Sequence, residues 1–293
     1  MDARRDTIQQ ALSLWRRFVD LVRLEQTVFA LPFAYAGMLL AADGLPTPAE
    51  GFWVTAAMVG ARTAGMSANR LVDRELDAQN PRTRDRALPQ GTLSVSTVRM
   101  TVAVSLGLLL LAAWNLNPLC LALLPVAAVL LLGYSYLKRF TWACHLGLGA
   151  VQACAPLGGW LAVSGEWAFA PFLLGLASFL WVAGFDILYA CQDTEHDLRH
   201  DIRSLPAALG KVRAFKVARA FHCGTVVALG LAGASLALGP AYFTGVGLIG
   251  AVLVWEHELL RPDDLSRMPI AFFQANALVG LILFASVLLE VLL

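Results

Sequence analysis

Asn69-Arg70-Leu71-Val72-Asp73-Arg74-Glu75-Leu76-Asp77 runs directly into Ala78-Gln79-Asn80-Pro81-Arg82-Thr83-Arg84. Asn69, Asp73 and Asp77 recur every four residues, so on a helix they stack on one face. A column of one amide and two carboxylates is a hard-oxygen array, suited to holding Mg²⁺ while a substrate phosphate completes the octahedron. In a soluble protein such a run reads as a solvated helix face. Here it closes a strongly apolar segment, and acidic groups in a membrane setting mark function.

The membrane setting comes from composition. Hydrophobic residues make up 58% of the 293-residue chain and charged residues 15%. Apolar runs of the ~20 residues that cross a bilayer recur along it. They predict an all-α fold, a polytopic bundle of about nine transmembrane helices, near 27–43, 51–72, 97–114, 118–136, 144–163, 167–190, 213–236, 240–258 and 270–292. We expect residues 1–293 to form a single integral-membrane domain. Residues 1–26, with Leu12, Leu14, Trp15, Phe18, Val19 and Val22 among arginines, form an amphipathic lead-in for the membrane interface. No cleavable signal is evident there. The formal net charge of +1 gives no bulk attraction for nucleic acid or an acidic partner. Cys120, Cys144, Cys154, Cys191 and Cys223 lack metal spacing and read as small packing residues.

A second acidic constellation closes the sixth predicted span. Asp186, Asp193 and Asp197 lie seven and four residues apart, one face if the helix continues, within Asp186-Ile187-Leu188-Tyr189-Ala190-Cys191-Gln192-Asp193-Thr194-Glu195-His196-Asp197. The two columns stand about 120 residues apart, and each is trailed by a basic loop. The first loop carries Arg82, Arg84 and Arg86 and ends in Leu88-Pro89-Gln90-Gly91. This looks like an internal repeat whose halves build one site. His196 and His200 could ligate a metal but read as loop residues, without a Cys nearby. Charge then orients the chain. With a cytoplasmic N-terminus, every Lys and Arg except Arg62 falls in or beside a cytoplasmic loop, and the outer loops carry none. Both acidic columns then sit on the cytoplasmic side, and nine spans put the C-terminus on the opposite one.

Two facing carboxylate columns at a membrane surface suit a diphosphate with a long apolar tail. Two Mg²⁺ ions would clamp the diphosphate and neutralise charge as it leaves, Arg and Lys would take the remaining oxygens, and the tail would lie among the spans. A cation-coupled transporter also lines a path with carboxylates, but near the midplane and on broken helices. A phospholipid-type alcohol phosphotransferase would need an Asp-Gly pair followed by Ala-Arg, which is absent. A purely structural membrane protein explains neither column.

These residues resemble the UbiA superfamily of intramembrane aromatic prenyltransferases. Its Asn-x-x-x-Asp-x-x-x-Asp motif matches Asn69, Asp73 and Asp77. Its Tyr-Ala-x-x-Asp-x-x-x-Asp pattern matches Tyr189, Ala190, Asp193 and Asp197, with Asp186 one turn earlier. The Leu88-Pro89-x-Gly91 loop and the Lys138-Arg139 pair also fit, so the resemblance covers nearly the whole chain. It implies nine helices around a central cavity in the bacterial inner membrane, Mg²⁺, a polyprenyl diphosphate donor, and a small aromatic acid acceptor of quinone biosynthesis. Asn80-Pro81-Arg82-Thr83, Cys191-Gln192-Asp193 and Ser204-Leu205-Pro206 look more like the menaquinone branch, with a dihydroxynaphthoate-type acceptor. The ubiquinone branch, with 4-hydroxybenzoate, stays close. The resemblance makes Asp73, Asp77, Asp193 and Asp197 the metal carboxylates, with Asn69 an oxygen donor to metal or phosphate. Asp186 is a candidate for the second metal shell or for stabilising a cation, and Tyr189 for orienting a carboxylate. Arg86, Lys138 and Arg139 are candidates to hold phosphate. Arg62, inside the second span, is the candidate partner of an acceptor carboxylate, because a desolvated guanidinium seeks a planar anion.

Overall fold

A computed structural model describes residues 27–293, so the expected lead-in over 1–26 lies outside the described residues. The described residues are built from helices: α1 (Thr27–Ala42), α2 (Pro48–Val72), α3 (Arg74–Gln79), α4 (Val95–Leu116) and α5 (Pro118–Gly133) come first. A tight 3₁₀ turn, Tyr134–Arg139, extends α5. Then follow α6 (Cys144–Ser164), α7 (Phe169–Ala190), α8 (Thr194–Arg199), α9 (Leu205–Leu209), α10 (Lys211–Ser235), α11 (Pro240–Leu259) and α12 (Asn276–Leu292), the last entered through a π-helical turn, Ile270–Ala275. Among the described residues, the nine long helices fall on the nine expected segments. Six of the spans, those built on α4, α5, α6, α7, α10 and α12, are long and apolar enough to cross a bilayer. Of the others, α1 has 16 residues. Charge interrupts the remaining two: α2 carries Glu50, Arg62 and Arg70, and α11 ends in Glu256-His257-Glu258.

Local sequence sets the ends. Thr47 and Glu50 form a capping box with Pro48 in the first turn, and Asn117 caps α5 just ahead of Pro118. Glu290 of α12 takes the backbone N–H groups of Gly239 and Tyr242, placing a carboxylate at the positive end of α11. Pro32, Pro125 and Pro156 sit inside helices, which neighbouring helices make tolerable in a membrane bundle.

Helix α1 is the hub, packed between α6 and α12, while α2 pairs with α4 and α7 with both α6 and α10. Small residues allow the closest approaches. A Cβ built on Gly37 would fall on the Pro156 carbonyl, and one on Gly159 would fall on the Ala34 carbonyl, so α1 and α6 meet backbone to backbone. Phe33 stacks on Trp181 with ring centroids 4.7 Å apart, and the Trp181 indole donates to the Asn276 side chain at 2.8 Å. The outer surface is apolar, with Leu110, Val129, Phe172, Val227 and Leu248 all exposed. Exposed Trp114, Trp142 and Trp167 lie beside helix ends, as in the aromatic belts of membrane proteins.

This packing sets an expectation. Gly159→Ala should lower the midpoint of thermal unfolding in detergent, since overpacking against backbone costs roughly 1–3 kcal/mol. Gly158→Ala, where no atom lies within 4 Å of the added carbon, should leave it unchanged or raise it.

Candidate active site

The first column survives a break in its helix. Helix α2 ends at Val72, and Asp73 takes φ −91° and ψ 1° before α3 begins. The four-residue ladder nevertheless continues, from Asp73 N–H to the Asn69 carbonyl at 2.9 Å and from Asp77 N–H to the Asp73 carbonyl at 2.7 Å. Asn69 donates its side-chain amide to the Asp73 carboxylate (2.9 Å) and to Ser135 Oγ (3.1 Å). Asp73 is buried and meets Lys138 Nζ at 2.6 Å and Arg139 at 3.4 Å. The Arg139 guanidinium also donates to the Val72 carbonyl at 2.6 Å, closing the end of α2. Asp77 accepts from one nitrogen of Arg86 on both oxygens, at 2.7 and 2.8 Å. All three predicted phosphate-binding cations thus lie on the first column's carboxylates.

The 78–94 loop is pinned rather than loose. Leu88, Leu93 and Val98 form a small buried cluster under it, and Gly91 turns the chain at φ +68°, a conformation open to glycine. From this loop the chain reaches across to the second column. Asn80 donates to Asp193 at 3.1 Å, and Arg82 forks onto both oxygens of Asp193 while its remaining nitrogen donates to Tyr189 Oη at 2.8 Å. Burial alone would raise the Asp193 pKa, but the Arg82 bonds and charge, helped by Asn80, outweigh it and hold this carboxyl below the usual range.

In the second column the helix again breaks, at Cys191-Gln192, and restarts at Asp193 as α8. Asp197 is buried and accepts from Ser204 Oγ at 2.7 Å. Burial, together with the charge of nearby Asp193, raises its pKa in spite of that bond and of Lys138 and His145 close by. Arg203 ties this loop to the turn after α5, through its N–H to the Lys138 carbonyl (2.8 Å) and its guanidinium to the Phe140 carbonyl (2.7 Å). Loops 73–94, 134–143 and 191–210 therefore converge at one end of the bundle. The expected single face for Asp186, Asp193 and Asp197 is modified by the break. Asp186 stays inside α7, where its carboxylate meets His145 Nδ1 at 2.6 Å, and His145 Nε2 accepts the Leu205 N–H at 3.3 Å. Tyr189 packs on Phe272, ring centroids 4.4 Å apart, under the Arg82 guanidinium. Arg62 lies half-buried in α2, within electrostatic reach of Tyr134. His196 and His200 stack on each other at 4.0 Å, beside α8.

Among the described residues, no three His, Cys, Asp or Glu side chains converge as a ready metal cage. Asp73, Asp77 and Asp193 are neutralised instead by Lys and Arg, cations that also bind phosphate. Arg82, Asn80, His145, Ser135 and Ser204 were not among the site residues expected from sequence. Arg82 and Asn80 stood in a stretch already singled out. His145 gave no signal, because nothing in its spacing connects it to Asp186, 41 residues away.

Comparison with known proteins finds relatives along nearly the whole chain. The model of the family described as "UbiA prenyltransferase family" matches residues 30–284. The chain is 28% identical over 282 residues to the 4-hydroxybenzoate octaprenyltransferase of Sodalis glossinidius (strain morsitans), covering 95% of this chain and 96% of that one. It is 31% identical over 277 residues to the protein of the same name from Pseudomonas aeruginosa (strain UCBPP-PA14), covering 91% and 90%. The apo structure of a UbiA homologue from Aeropyrum pernix K1 superimposes with a TM-score of 0.82 at 32% identity, over 91% of this chain and 98% of that one. A UbiA homologue from Archaeoglobus fulgidus, bound to GPP and Mg²⁺, shares the fold with a TM-score of 0.73 at 19% identity, over 94% and 100%.

The Arg82 bridge generates an expectation of its own. Arg82→Ala should speed amide hydrogen exchange in 79–94 and 191–200 by several-fold to about tenfold, the range of a partly exposed forked ion pair. Arg84→Ala, on the same loop but outside the bridge, should not.

Proposed function

The chain belongs to the UbiA prenyltransferase family, and from that premise we propose that its two acidic columns hold a polyprenyl diphosphate for transfer to a hydroxylated aromatic acid of quinone biosynthesis. Prenyl transfer to an aromatic acceptor is the family's chemistry, and the protein is an integral membrane enzyme of that type. What carries the reading to these residues is the bridge of Asn80 and Arg82 from the first column's loop to Asp193 of the second. We read the whole chain as one prenyltransferase domain, with the columns facing the cytoplasm of a bacterial inner membrane and the C-terminus on the other side, as the charge pattern favours.

The donor set suits Mg²⁺. Asp73, Asp77, Asp193 and Asp197 are hard anionic oxygens, and Asn69, with its NH₂ committed to Asp73 and Ser135, keeps its carbonyl oxygen available as a ligand atom. Mg²⁺ bound there would supply neutralisation of the departing diphosphate. An arriving diphosphate competes for Lys138, Arg139, Arg86 and Arg82, and each cation that turns to a phosphate oxygen frees a carboxylate. When the allylic C–O bond breaks, its electron pair leaves with the diphosphate, and these cations take the added charge. Asp186 lies in α7 before the column, its carboxylate oriented by His145, so it can stabilise the allylic cation. Attack by a ring carbon then forms the new C–C bond, and transfer of the ring proton to the released diphosphate restores aromaticity. Tyr189, fixed by Phe272, orients Arg82 and through it Asp193.

We further propose a dihydroxynaphthoate-type acceptor. Of the residues that resemble the menaquinone branch, Asn80, Arg82 and Asp193 couple the two loops, and Ser204 holds Asp197 within the second. The names of the curated relatives support 4-hydroxybenzoate as the second reading. Purified protein given a polyprenyl diphosphate, Mg²⁺ and both acids decides between them by which acid carries the prenyl group.

Asp73→Asn and Asp193→Asn should each cut turnover by about 100-fold or more, the usual scale for loss of an electrostatic clamp, with the bundle still folded by circular dichroism. Chelation by EDTA should do the same to the wild type, and full activity in EDTA would refute the metal assignment. We assign the acceptor's carboxylate to Arg62, seven residues and roughly 10 Å from Asn69 along α2. Arg62→Ala should lower acceptor kcat/KM on the order of 10- to 1000-fold while the donor's KM changes little, and Arg62→Lys should rescue poorly. Unchanged acceptor kinetics would reassign Arg62 to a structural ion pair.

A further inference from the structure

Where α10 begins and α11 ends, a cavity of about 660 Å³ opens on the outside of the bundle. Helix α10 lines it with Val212, Phe215, Lys216 and Arg219, which share one helical face by their spacing. Opposite them stand His257, Glu258 and Leu260 of the α11 end, then Arg261 and Pro262. None of these residues belongs to the site built around Asp73 and Asp193. The cavity is at the same end of the bundle, because α7 ends at the second column and α10 starts directly after that column's loop.

Its charge is unbalanced. Lys216, Arg219 and Arg261 face a single carboxylate, Glu258. Among the described residues, none of the three cations has a carboxylate within salt-bridge distance. Asp264, on the loop just beyond, turns its carboxylate to the Ser266 N–H at 3.0 Å and lies within electrostatic reach of Arg261 and Arg267, so it offsets part of the Arg261 charge and none of that of Lys216 and Arg219. The apolar members continue into the exposed surface through Val212. Exposed cations beside an apolar surface, at the level where a helix leaves the membrane, match a phosphate ester whose chains remain in the bilayer.

We propose that this cavity binds the phosphate headgroup of an anionic membrane phospholipid. Lys216, Arg219 and Arg261 engage the phosphate, and Val212 and Phe215 lie against the glycerol and the first acyl carbons. The assignment is independent of the transferase reading, since it uses no residue of that site.

The test is native mass spectrometry of the purified full chain in detergent, titrated with phosphatidylglycerol and with phosphatidylcholine. Wild type should bind phosphatidylglycerol roughly 10- to 100-fold more tightly, as expected for three cations at a membrane surface. The combined variant Lys216→Gln, Arg219→Gln, Arg261→Gln should lose that preference. A variant with the same charge removed outside the cavity, Lys211→Gln, Arg213→Gln, Arg267→Gln, should keep it. Glu258→Gln, which removes the opposing carboxylate, should strengthen phosphatidylglycerol binding and reports on the cavity even if the triple variant fails to fold. Three results would overturn the proposal: equal binding of the two lipids by wild type, equal loss in both triple variants, or displacement of phosphatidylglycerol by geranyl diphosphate, which would make the cavity a site for the prenyl donor.

Discussion

Carboxylates at the edge of a membrane bundle have to be neutralised, and the candidate site is organised around how this chain does it. Asp73 and Asp77 are buried, and Asp193 is mostly so. Taking such groups from water without partners would cost several kcal/mol each. The chain supplies Lys138 and Arg139 from the turn after α5, and Arg86 and Arg82 from the loop after α3. Because the cations arrive on segments distant in sequence, neutralising the charge also docks the loops. Arg82 is the extreme case, since one guanidinium holds Asp193 and Tyr189 and so joins the two halves of the chain. The same pairing is reversible chemistry, because a guanidinium or ammonium bound to a carboxylate can be recruited by a phosphate.

That arrangement requires a rigid frame, and the helices supply it by close packing. In a membrane the hydrophobic effect gives little drive for helix to meet helix, so contact rests on van der Waals fit and a few internal hydrogen bonds. Gly37 and Gly159 let α1 and α6 touch along their backbones, and Gly60 does the same for α2 against the Ser105 carbonyl of α4. Gly149 likewise brings α6 against the Phe179 carbonyl of α7, and α6 and α7 are the helices that carry His145 and Asp186. One polar chain runs inside the bundle: Trp181 donates to Asn276, and Asn276 donates to Glu256.

The basic cavity between α10 and α11 contrasts with the site. At the site Arg82, Arg86, Lys138 and Arg139 each meet a carboxylate of the columns, whereas the cavity presents three cations to one glutamate. Surplus positive charge at a membrane surface invites anions from outside the chain, and the lipid is the anion always present there.

Much was legible in the residues alone. Apolar runs of bilayer length fix helix number and placement without any tertiary information, because in lipid a backbone must satisfy its own hydrogen bonds. The nine expected segments accordingly coincide with the nine long helices among the described residues. The columns were legible because a four-residue repeat puts side chains on one face, and the ladder through Asp73 kept that face across the break. The resemblance carried by Asn69, Asp73, Asp77, Tyr189, Asp193 and Asp197 pointed to the family before any fold was on view. What the sequence could not reveal is which cation meets which carboxylate. Helical periodicity describes a residue's own helix and says nothing of partners 66, 107 or 111 residues away, the separations of Arg139 from Asp73 and of Arg82 from Tyr189 and Asp193. His145 became part of the site only because α6 packs on α7, which brings its ring onto the Asp186 carboxylate. Those pairings are set by how helices pack and where loops close, which are properties of the assembled bundle.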